Sequence, residues 1–205
     1  MVTQCHGLKL VTICDNCHSH VLDSDDLDSG VCTQQTRDFW KWLATLAYVL
    51  PITADQTIPL RHSVLWPDHP VSHVLLPEDH SGCHYGAFLS ARDIPVAVIS
   101  VFKEPLPLTG TITPEIPAGT SAARFRKFAC DPSFQGQGIG TKLLEHVFSI
   151  ARSELKCDVV WCDARISAAG WYERRGMIRF GDTFYKGALE SRRSQAIRIF
   201  LRRTC

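Results

Sequence analysis

The sequence predicts an α/β domain, and three stretches carry that prediction. Two apolar runs, 87–89 and 96–102, are separated by the breakers of "SARDIP" and predict a hairpin of two strands. The stretch "ARFRKFAC" (123–130) has apolar residues on both alternating faces, as a strand in the middle of a sheet does. The segment after it passes from closely spaced glycines to apolar residues at helical spacing. A central strand that leads into a glycine turn and a helix is typical of α/β proteins.

The first fifty residues differ from the rest of the chain in their sequence pattern. "GLKLVTIC" can form a strand, and "DSDDLDSG" is an acidic loop with strong breakers. In "TRDFWKWLATLAYVL" the apolar side chains recur at helical spacing, which predicts a helix that Pro51 ends. The stretch "IPLRHSVLWP" (58–67) then predicts a short helix or turn. We therefore expect an N-terminal extension of uncertain structure at 1–51 and the main domain at 52–205.

The remaining elements follow the glycine segment in order. Its helix is followed by "DVVWCDA", a strand of a covered sheet, and by "ISAAGWYERRG", a second helix that Gly176 can cap. "MIRFGDTFYKG" predicts another strand with a bend at Gly181. "QAIRIFLRR" predicts a last strand, and we interpret Arg198 and Arg202 as charges that flank a sheet edge.

Composition narrows the classes of protein that the chain can be. It has 205 residues, of which 45% are apolar, and a formal net charge of +1. That balance does not favour a nucleic-acid partner held by bulk charge. The longest apolar run is about half of the roughly 20 residues that a membrane span needs, and the first residues do not resemble a secretion signal. We expect a cytoplasmic protein without membrane or nucleic-acid partners, with its nine cysteines mostly reduced.

Two groups of residues have the composition of metal sites. "CDNCHSH" holds a single Cys-x-x-Cys pair, which without a clear second pair is weak evidence for zinc. Histidines also recur between the first helix and the hairpin, where we expect them on the surface: His62, His69, His73, His80 and His84. We expect no metal, while a metal-dependent interaction module in residues 1–50 remains an alternative.

The glycine segment "DPSFQGQGIGTKLLEHVF" predicts a binding site for a phosphate. A helix N-terminus offers unsatisfied N–H groups and the positive end of a dipole, and glycines let that backbone close around an anion. Gly136, Gly138 and Gly140 give G-x-G-x-G, so the third glycine comes one residue too early for a dinucleotide fingerprint. A Walker loop needs Gly-Lys-Ser/Thr, whereas here Thr141 precedes Lys142.

The spacing Gln135-x-x-Gly138-x-Gly140 instead resembles the pyrophosphate loop Q/R-x-x-G-x-G/A of the GNAT superfamily of acyl-CoA N-acyltransferases. "WCDARISAAGWYERRGM" is similar to that family's next strand and helix, and "MIRFGDTFYKG" to the strand after it. The resemblance covers roughly 52–187 and extends, through "LR..VLWP", to a subgroup of small, mostly uncharacterised acyltransferases. It implies a mixed, mostly antiparallel central sheet flanked by helices.

The resemblance also implies the roles of particular residues. Acetyl-CoA would be the cosubstrate, and an amine of unidentified chemistry the acceptor. Tyr172 matches the family's usual general acid, which returns a proton to the CoA thiolate, while Trp171 packs the helix. Arg165 stands where many relatives have an asparagine that contacts pantetheine, and could contact a CoA phosphate or an acidic substrate. The implied contacts with acetyl-CoA are Phe128, Cys130, Gln135, Gly136, Gln137, Gly138, Ile139, Gly140, Thr141 and Arg165.

No motif singles out the group that takes the proton of the acceptor amine. Asp163 ends a predicted strand near the expected cleft and is the preferred candidate, with a helix cap as its alternative role. Glu78 and His84 are further candidates. The expected function is direct transfer of an acetyl group from acetyl-CoA to a primary amine in a ternary complex. A CoA-binding regulatory module that has lost catalysis is the alternative.

Overall fold

The computed structural model describes residues 47–90, 92–107, 116–117, 119–186 and 194–202. The predictions for residues 1–46, including the strand, the acidic loop and the Cys–His cluster, lie outside these ranges. The strands of the described part are β1 Tyr48–Ile52, β2 Cys83–Phe88, β3 Ala97–Lys103, β4 Ala122–Cys130, β5 Val159–Arg165, β6 Ile178–Lys186 and β7 Ser194–Arg202. Its α-helices are α1 Ala54–Leu60, α2 Ile139–Ser153 and α3 Ile166–Glu173.

All seven strands belong to one sheet, in the order β1-β2-β3-β4-β5-β7-β6. Neighbouring strands are antiparallel except for β4 and β5, which are parallel. The mixed, mostly antiparallel sheet flanked by helices is therefore confirmed, and β4 is its middle strand. The last strand, β7, lies between β5 and β6 and pairs with both. The interpretation of Arg198 and Arg202 as flanking a sheet edge is wrong, since Arg198 stands opposite Asp163 on one side and Phe180 on the other.

The edge strand β1 corrects the helix predicted to run up to Pro51. Residues 48–50 are extended and pair with β2, from Tyr48 opposite Phe88 to Ile52 opposite His84. Backbone pairing with β2 outweighs the local helical periodicity of the apolar side chains. Pro51 is tolerated within this strand because an edge strand needs ladder hydrogen bonds on only one side.

A capping box starts the helix that follows β1. The side chain of Thr53 accepts from the Gln56 N–H at 3.3 Å, and Oε1 of Gln56 accepts from the Thr53 N–H at 2.8 Å. Helix α1 then passes into one π-helical turn, Arg61–Leu65. The helix or turn predicted at 58–67 is confirmed.

Helices cover both faces of the sheet around the hairpin β2–β3, which is itself confirmed. Leu143 and Val147, from the apolar stripe of α2, are fully buried in one cluster with Ile99 of β3. Burying each such side chain contributes roughly 1.5–3 kcal/mol. Because side chains alternate along a strand, Ser100 faces the other way, where it meets Arg61 at the end of α1.

Two glycines shape the C-terminal half as the sequence predicts. Gly176, with φ of +81°, follows α3 and closes its end, since the Gly176 N–H donates to the Glu173 carbonyl at 3.0 Å. Gly181, with φ of +67°, lies where the pairing of β6 with β7 shifts between Phe180 and Phe184. The bend carries β6 along the outer side of β7.

Candidate active site

A cavity of about 440 Å³ lies where β4 and β5 separate. The two strands pair only at Ala122–Arg124 with Val159–Trp161, and β5 pairs with β7 over its whole length. Beyond Arg124, the side of β4 that faces β5 has no strand partner among the described residues. The cavity is lined by Leu65, Trp66, Leu76, Arg124, Phe125, Arg126, Lys127, Phe128, Cys162, Asp163, Ala164, Arg165, Ala168 and Tyr172.

A bulge in β4 shapes one wall of the cavity. Val98 pairs with Ala129 but Ser100 pairs with Arg126, so β4 contains one residue more than β3 in this interval. Within the bulge, Lys127 has φ of +52°, a conformation that non-glycine residues rarely adopt. Such strain persists where the surrounding structure enforces it, often at functional sites. The bulge bends β4 at the point where its side chains line the cavity.

The glycine loop lies between β4 and α2. Gly136 and Gly138 have φ of +76° and +82°, and Gly138 is the residue that caps α2. The first helical hydrogen bond of α2 runs from the Lys142 N–H to the Gly138 carbonyl at 3.0 Å. The N–H groups of residues 139–141 therefore precede the first helical bond and point out of the helix end. This is the arrangement that binds an anion such as pyrophosphate.

Neighbouring side chains hold the glycine loop in shape. Nε2 of Gln135 donates to the Cys130 carbonyl at 2.9 Å, and Nε2 of Gln137 donates to the Ser133 carbonyl at 2.9 Å. A Cβ on Gly140 would lie 3.3 Å from the Phe128 ring. The two glutamines thus brace the loop from within, and Gly140 allows α2 to approach the ring at the end of β4.

Arg175, which the sequence analysis did not single out, joins α2 to α3. Its Nε and Nη2 donate to the Thr141 hydroxyl at 3.0 and 2.6 Å, and its Nη1 donates to the Trp171 carbonyl at 2.6 Å. The guanidinium carbon lies 3.6 Å from the centre of the Trp171 ring. Burial lowers the pKa of Arg175 from its ordinary value. A cation is thereby fixed next to the start of α2, where it adds to the attraction for an anion.

Tyr172 lies in the wall of the cavity, on the α3 side. Its ring packs against Phe125 at 5.8 Å and against Trp171 at 4.9 Å between ring centroids. Burial, with a smaller contribution from Cys162, raises the pKa of Tyr172 well above its ordinary value. The phenol therefore stays protonated and can donate a proton to a group in the cavity.

The cysteine side chains of the described residues pack in the protein and are not placed as nucleophiles. Cys83, Cys130, Cys157 and Cys162 are not in disulfide bonds. Burial raises the pKa of Cys130 to about 11, and its Sγ lies 3.7 Å from the Asp131 carbonyl that accepts from it. Because the thiolate is the nucleophile, this shift makes Cys130 unreactive near neutral pH.

Asp163 is brought into the cavity wall, where its side chain is 7% exposed and forms an ion pair with Arg124. The alternative role as helix cap is wrong, because Arg165 occupies the capping position of α3. Glu78 is half exposed and lies 3.7 Å from Arg126. His84 corrects the expectation of surface histidines. It is 6% exposed, is bonded to Ser100, and is not among the residues that line the cavity.

A buried polar cluster fixes the segment before β2 that contributes Leu76 to the cavity wall. The fully buried Arg61 forms two hydrogen bonds with Asp79, at 2.7 and 2.8 Å, and donates to the Ser100 hydroxyl at 2.6 Å. The Asp79 carboxylate also accepts from the Leu76 N–H at 3.0 Å. Burial acts to raise the pKa of Asp79, but the hydrogen bonds from Arg61 and Leu76 outweigh it, so the pKa lies below its ordinary value. Leu76 of the cavity wall is thus linked to Ser100 of the sheet through Asp79 and Arg61.

The described ranges contain neither a membrane-spanning helix nor a cluster of metal ligands. No helix there is both long and apolar enough to cross a membrane. In the same part of the chain, no three His, Cys, Asp or Glu side chains are placed to share a metal ion. The Cys–His cluster of "CDNCHSH" lies outside it.

The comparisons agree with the geometry. Residues 50–177 match the model of the "Acetyltransferase (GNAT) family". The uncharacterized N-acetyltransferase YitI of Bacillus subtilis (strain 168) is 30% identical over 139 residues, which cover 66% of this chain and 85% of YitI.

Two solved structures illustrate the shared fold. A chain of the NatC complex bound to Gag peptide and CoA has a TM-score of 0.57 at 17% identity, covering 77% of this chain and 99% of that one. A GNAT acetyltransferase from Elizabethkingia anophelis with acetyl-CoA bound has a TM-score of 0.53 at 17% identity, over 77% and 99% of the two chains. The family model matches more than half of the chain, and YitI is 30% identical to it. The chain therefore belongs to the GNAT family and is an acyl-CoA-dependent N-acyltransferase.

Proposed function

We propose that the protein transfers an acetyl group from acetyl-CoA directly to a primary amine while both are bound. The observation that carries this proposal is the position of the Tyr172 phenol, in the wall of the cavity that opens where β4 leaves β5. The glycine loop at the start of α2 adds an anion site at the end of the same strand. The proposed binding site for the CoA phosphates and the proposed proton donor thus lie next to the same opening in the sheet.

The described residues fit the two polar parts of acetyl-CoA. The open N–H groups at the start of α2, with Arg175 beside them, suit the pyrophosphate. The unpaired side of β4, from Phe125 to Cys130, can pair with amides of the pantetheine arm as a substitute strand would. The NatC and Elizabethkingia structures, which hold CoA and acetyl-CoA on the same fold, support this placement.

Bound acetyl-CoA supplies an acetyl thioester to the cavity. The amine nitrogen of the acceptor bonds to the thioester carbon, the carbon–sulfur bond breaks, and the sulfur leaves with the electron pair. Tyr172 donates its phenolic proton to that sulfur. A buried site disfavours a charged thiolate, so this proton transfer lets the sulfur leave as the neutral thiol of CoA.

The acceptor amine must lose a proton when it bonds to carbon. Asp163 is the carboxylate that lines the cavity, and the ion pair with Arg124 fixes its position. We propose that Asp163 receives this proton as a general base, directly or through one water.

We also propose a cytoplasmic location. Reduced cysteines outside disulfide bonds, which the described residues contain, are typical of that compartment.

Tyr172→Phe tests the proton donor. We expect kcat to fall by about 10²-fold or more, the usual contribution of a positioned acid, while the Kd for CoA changes less than twofold. Tyr85→Phe is the matched control: Tyr85 is also buried, but packs against His146 of α2 and does not line the cavity. Unchanged turnover in Tyr172→Phe, measured by chromatography of CoA and acetyl-CoA, would show that the acid role is wrong.

A further inference from the structure

The charges on the cavity wall are predominantly positive. Four of the lining side chains are cationic: Arg124, Arg126, Lys127 and Arg165. Asp163 is the acidic residue among them. Two glutamates stand behind the wall, because Glu104 contacts both Arg124 and Arg126 at 2.6 Å and Glu78 lies 3.7 Å from Arg126. Among the side chains that the structure describes, four cations and three carboxylates leave one positive charge unbalanced.

The unbalanced charge can be assigned to a particular side chain. Arg124 and Arg126 are each paired with carboxylates. Lys127 donates to the His73 carbonyl at 3.3 Å and lies 4.0 Å over the Trp66 ring, which fixes its ammonium group against the wall. Arg165 is exposed and forms no hydrogen bond or ion pair with any residue in the described ranges. Its five N–H donors are free to bind a ligand in the cavity.

Arg165 lines the cavity at the end of β5, immediately before α3. It shares the cavity wall with Asp163, the proposed proton acceptor, and with Trp66 and Leu76. The glycine loop is not part of that wall. A guanidinium at this place is positioned to contact the acceptor rather than the pyrophosphate.

We infer that the acceptor is an amine that also carries a carboxylate, as an amino acid does, and that Arg165 binds this carboxylate. The inference rests on the proposed acetyl transfer. A guanidinium forms two parallel hydrogen bonds with a carboxylate, and a single negative charge balances the single excess positive charge of the wall. Polyamines are disfavoured, because a second ammonium group would face the cations of β4. Arg165 is thus a residue that sets acceptor specificity, instead of one that contacts the cofactor.

Matched acceptors test the inference. Glycine and phenylalanine would be compared with glycinamide and phenylalaninamide, which keep the amine and the size but lack the negative charge, and with spermidine. We expect wild-type kcat/KM to be at least tenfold higher for each amino acid than for its amide. In Arg165→Gln that ratio should fall to within twofold of unity, with the Kd of acetyl-CoA unchanged. Arg152→Gln, at an exposed arginine of α2, is the control that should keep the ratio.

Three outcomes overturn the inference. One is a wild-type preference for the amides or for spermidine. Another is a preference for amino acids that Arg165→Gln leaves intact. The third is a loss of acetyl-CoA affinity in Arg165→Gln with acceptor preference unchanged, which would return Arg165 to the cofactor site. Binding of the same amino acids and amides to the CoA complex, measured by calorimetry without turnover, separates this inference from the proposed function. If no amine is acetylated but wild type binds the carboxylate and Arg165→Gln does not, acetyl transfer fails and the anion site stands.

Discussion

Gly138 offers the sharpest perturbation of the proposed donor site. Its φ of +82° is in the left-handed region, and it caps the helix whose first N–H groups form the proposed anion site. An alanine in that conformation is strained by about 1–2 kcal/mol. In the free protein, the exposed loop of Gly138→Ala can relieve this strain by leaving the left-handed conformation. Binding of CoA then has to restore it.

The expected weakening of CoA binding follows from that cost. If 1–2 kcal/mol must be supplied on binding, the apparent Kd rises by about 5- to 30-fold, because the binding-competent loop is populated by that much less. Gly176→Ala is the matched control. Gly176 has φ of +81°, and an added Cβ would lie 3.4 Å from Leu201, an ordinary contact. It closes α3 and takes no part in the glycine loop.

Isothermal titration with CoA and urea unfolding separate the two variants. Gly176→Ala should lose about 1–2 kcal/mol of unfolding free energy, with the Kd for CoA unchanged. Gly138→Ala should show the higher Kd. If Gly138→Ala binds CoA as tightly as wild type and loses only stability, the glycine loop does not hold the pyrophosphate and the reasoning is refuted.

Two further predictions concern stability. Arg61→Met leaves the Asp79 carboxylate without its buried partner and should lower the free energy of unfolding in urea by about 3–5 kcal/mol. Arg152→Met, at an exposed arginine of α2, is the control and should change that free energy by less than about 0.5 kcal/mol. Equal effects of the two substitutions would contradict the buried network. Burial raises the pKa of Tyr85 to about 12, so the folded protein holds the phenolic proton more tightly than the unfolded chain does. Stability should therefore be full below pH 10, about the unfolded pKa, and fall between pH 10 and about 12. Tyr85→Phe should fall less steeply in urea titrations across that range, and an unchanged slope would show that Tyr85 is not the cause.

The parts of the fold that the sequence predicts correctly depend on local signals. The hairpin, the glycine-to-helix transition, the helix end at Gly176 and the bend at Gly181 each follow from residues adjacent in sequence. The strand at Tyr48–Ile52 is missed because its pairing with β2 is a contact between residues distant in sequence, while its own periodicity is helical. The place of β7 between β5 and β6 likewise depends on which strands pair, and a pattern of alternating side chains carries no information on that.

The candidate site divides in the same way. The glycine loop and Tyr172 are proposed from the resemblance of contiguous motifs to the family, and Tyr172 does line the cavity. The charged wall is missed, although Arg124 and Arg126 gave a signal: two charges at alternate positions of an apolar strand must face the same side. Arg175 and Arg61 could not be assigned, because their partners on other elements become known only once the chain is folded.

Amine-dependent consumption of acetyl-CoA by the wild-type protein tests the central claim most directly. Acetyl-CoA would be incubated with the protein and a panel of amino acids, amino amides, polyamines and peptides. CoA would then be quantified by chromatography, and the products by mass spectrometry. The account predicts that at least one amine accelerates CoA release and gives one N-acetylated product for each CoA formed. Tight binding of acetyl-CoA with no acceleration by any amine would contradict it, and would identify the protein as a CoA-binding regulatory module.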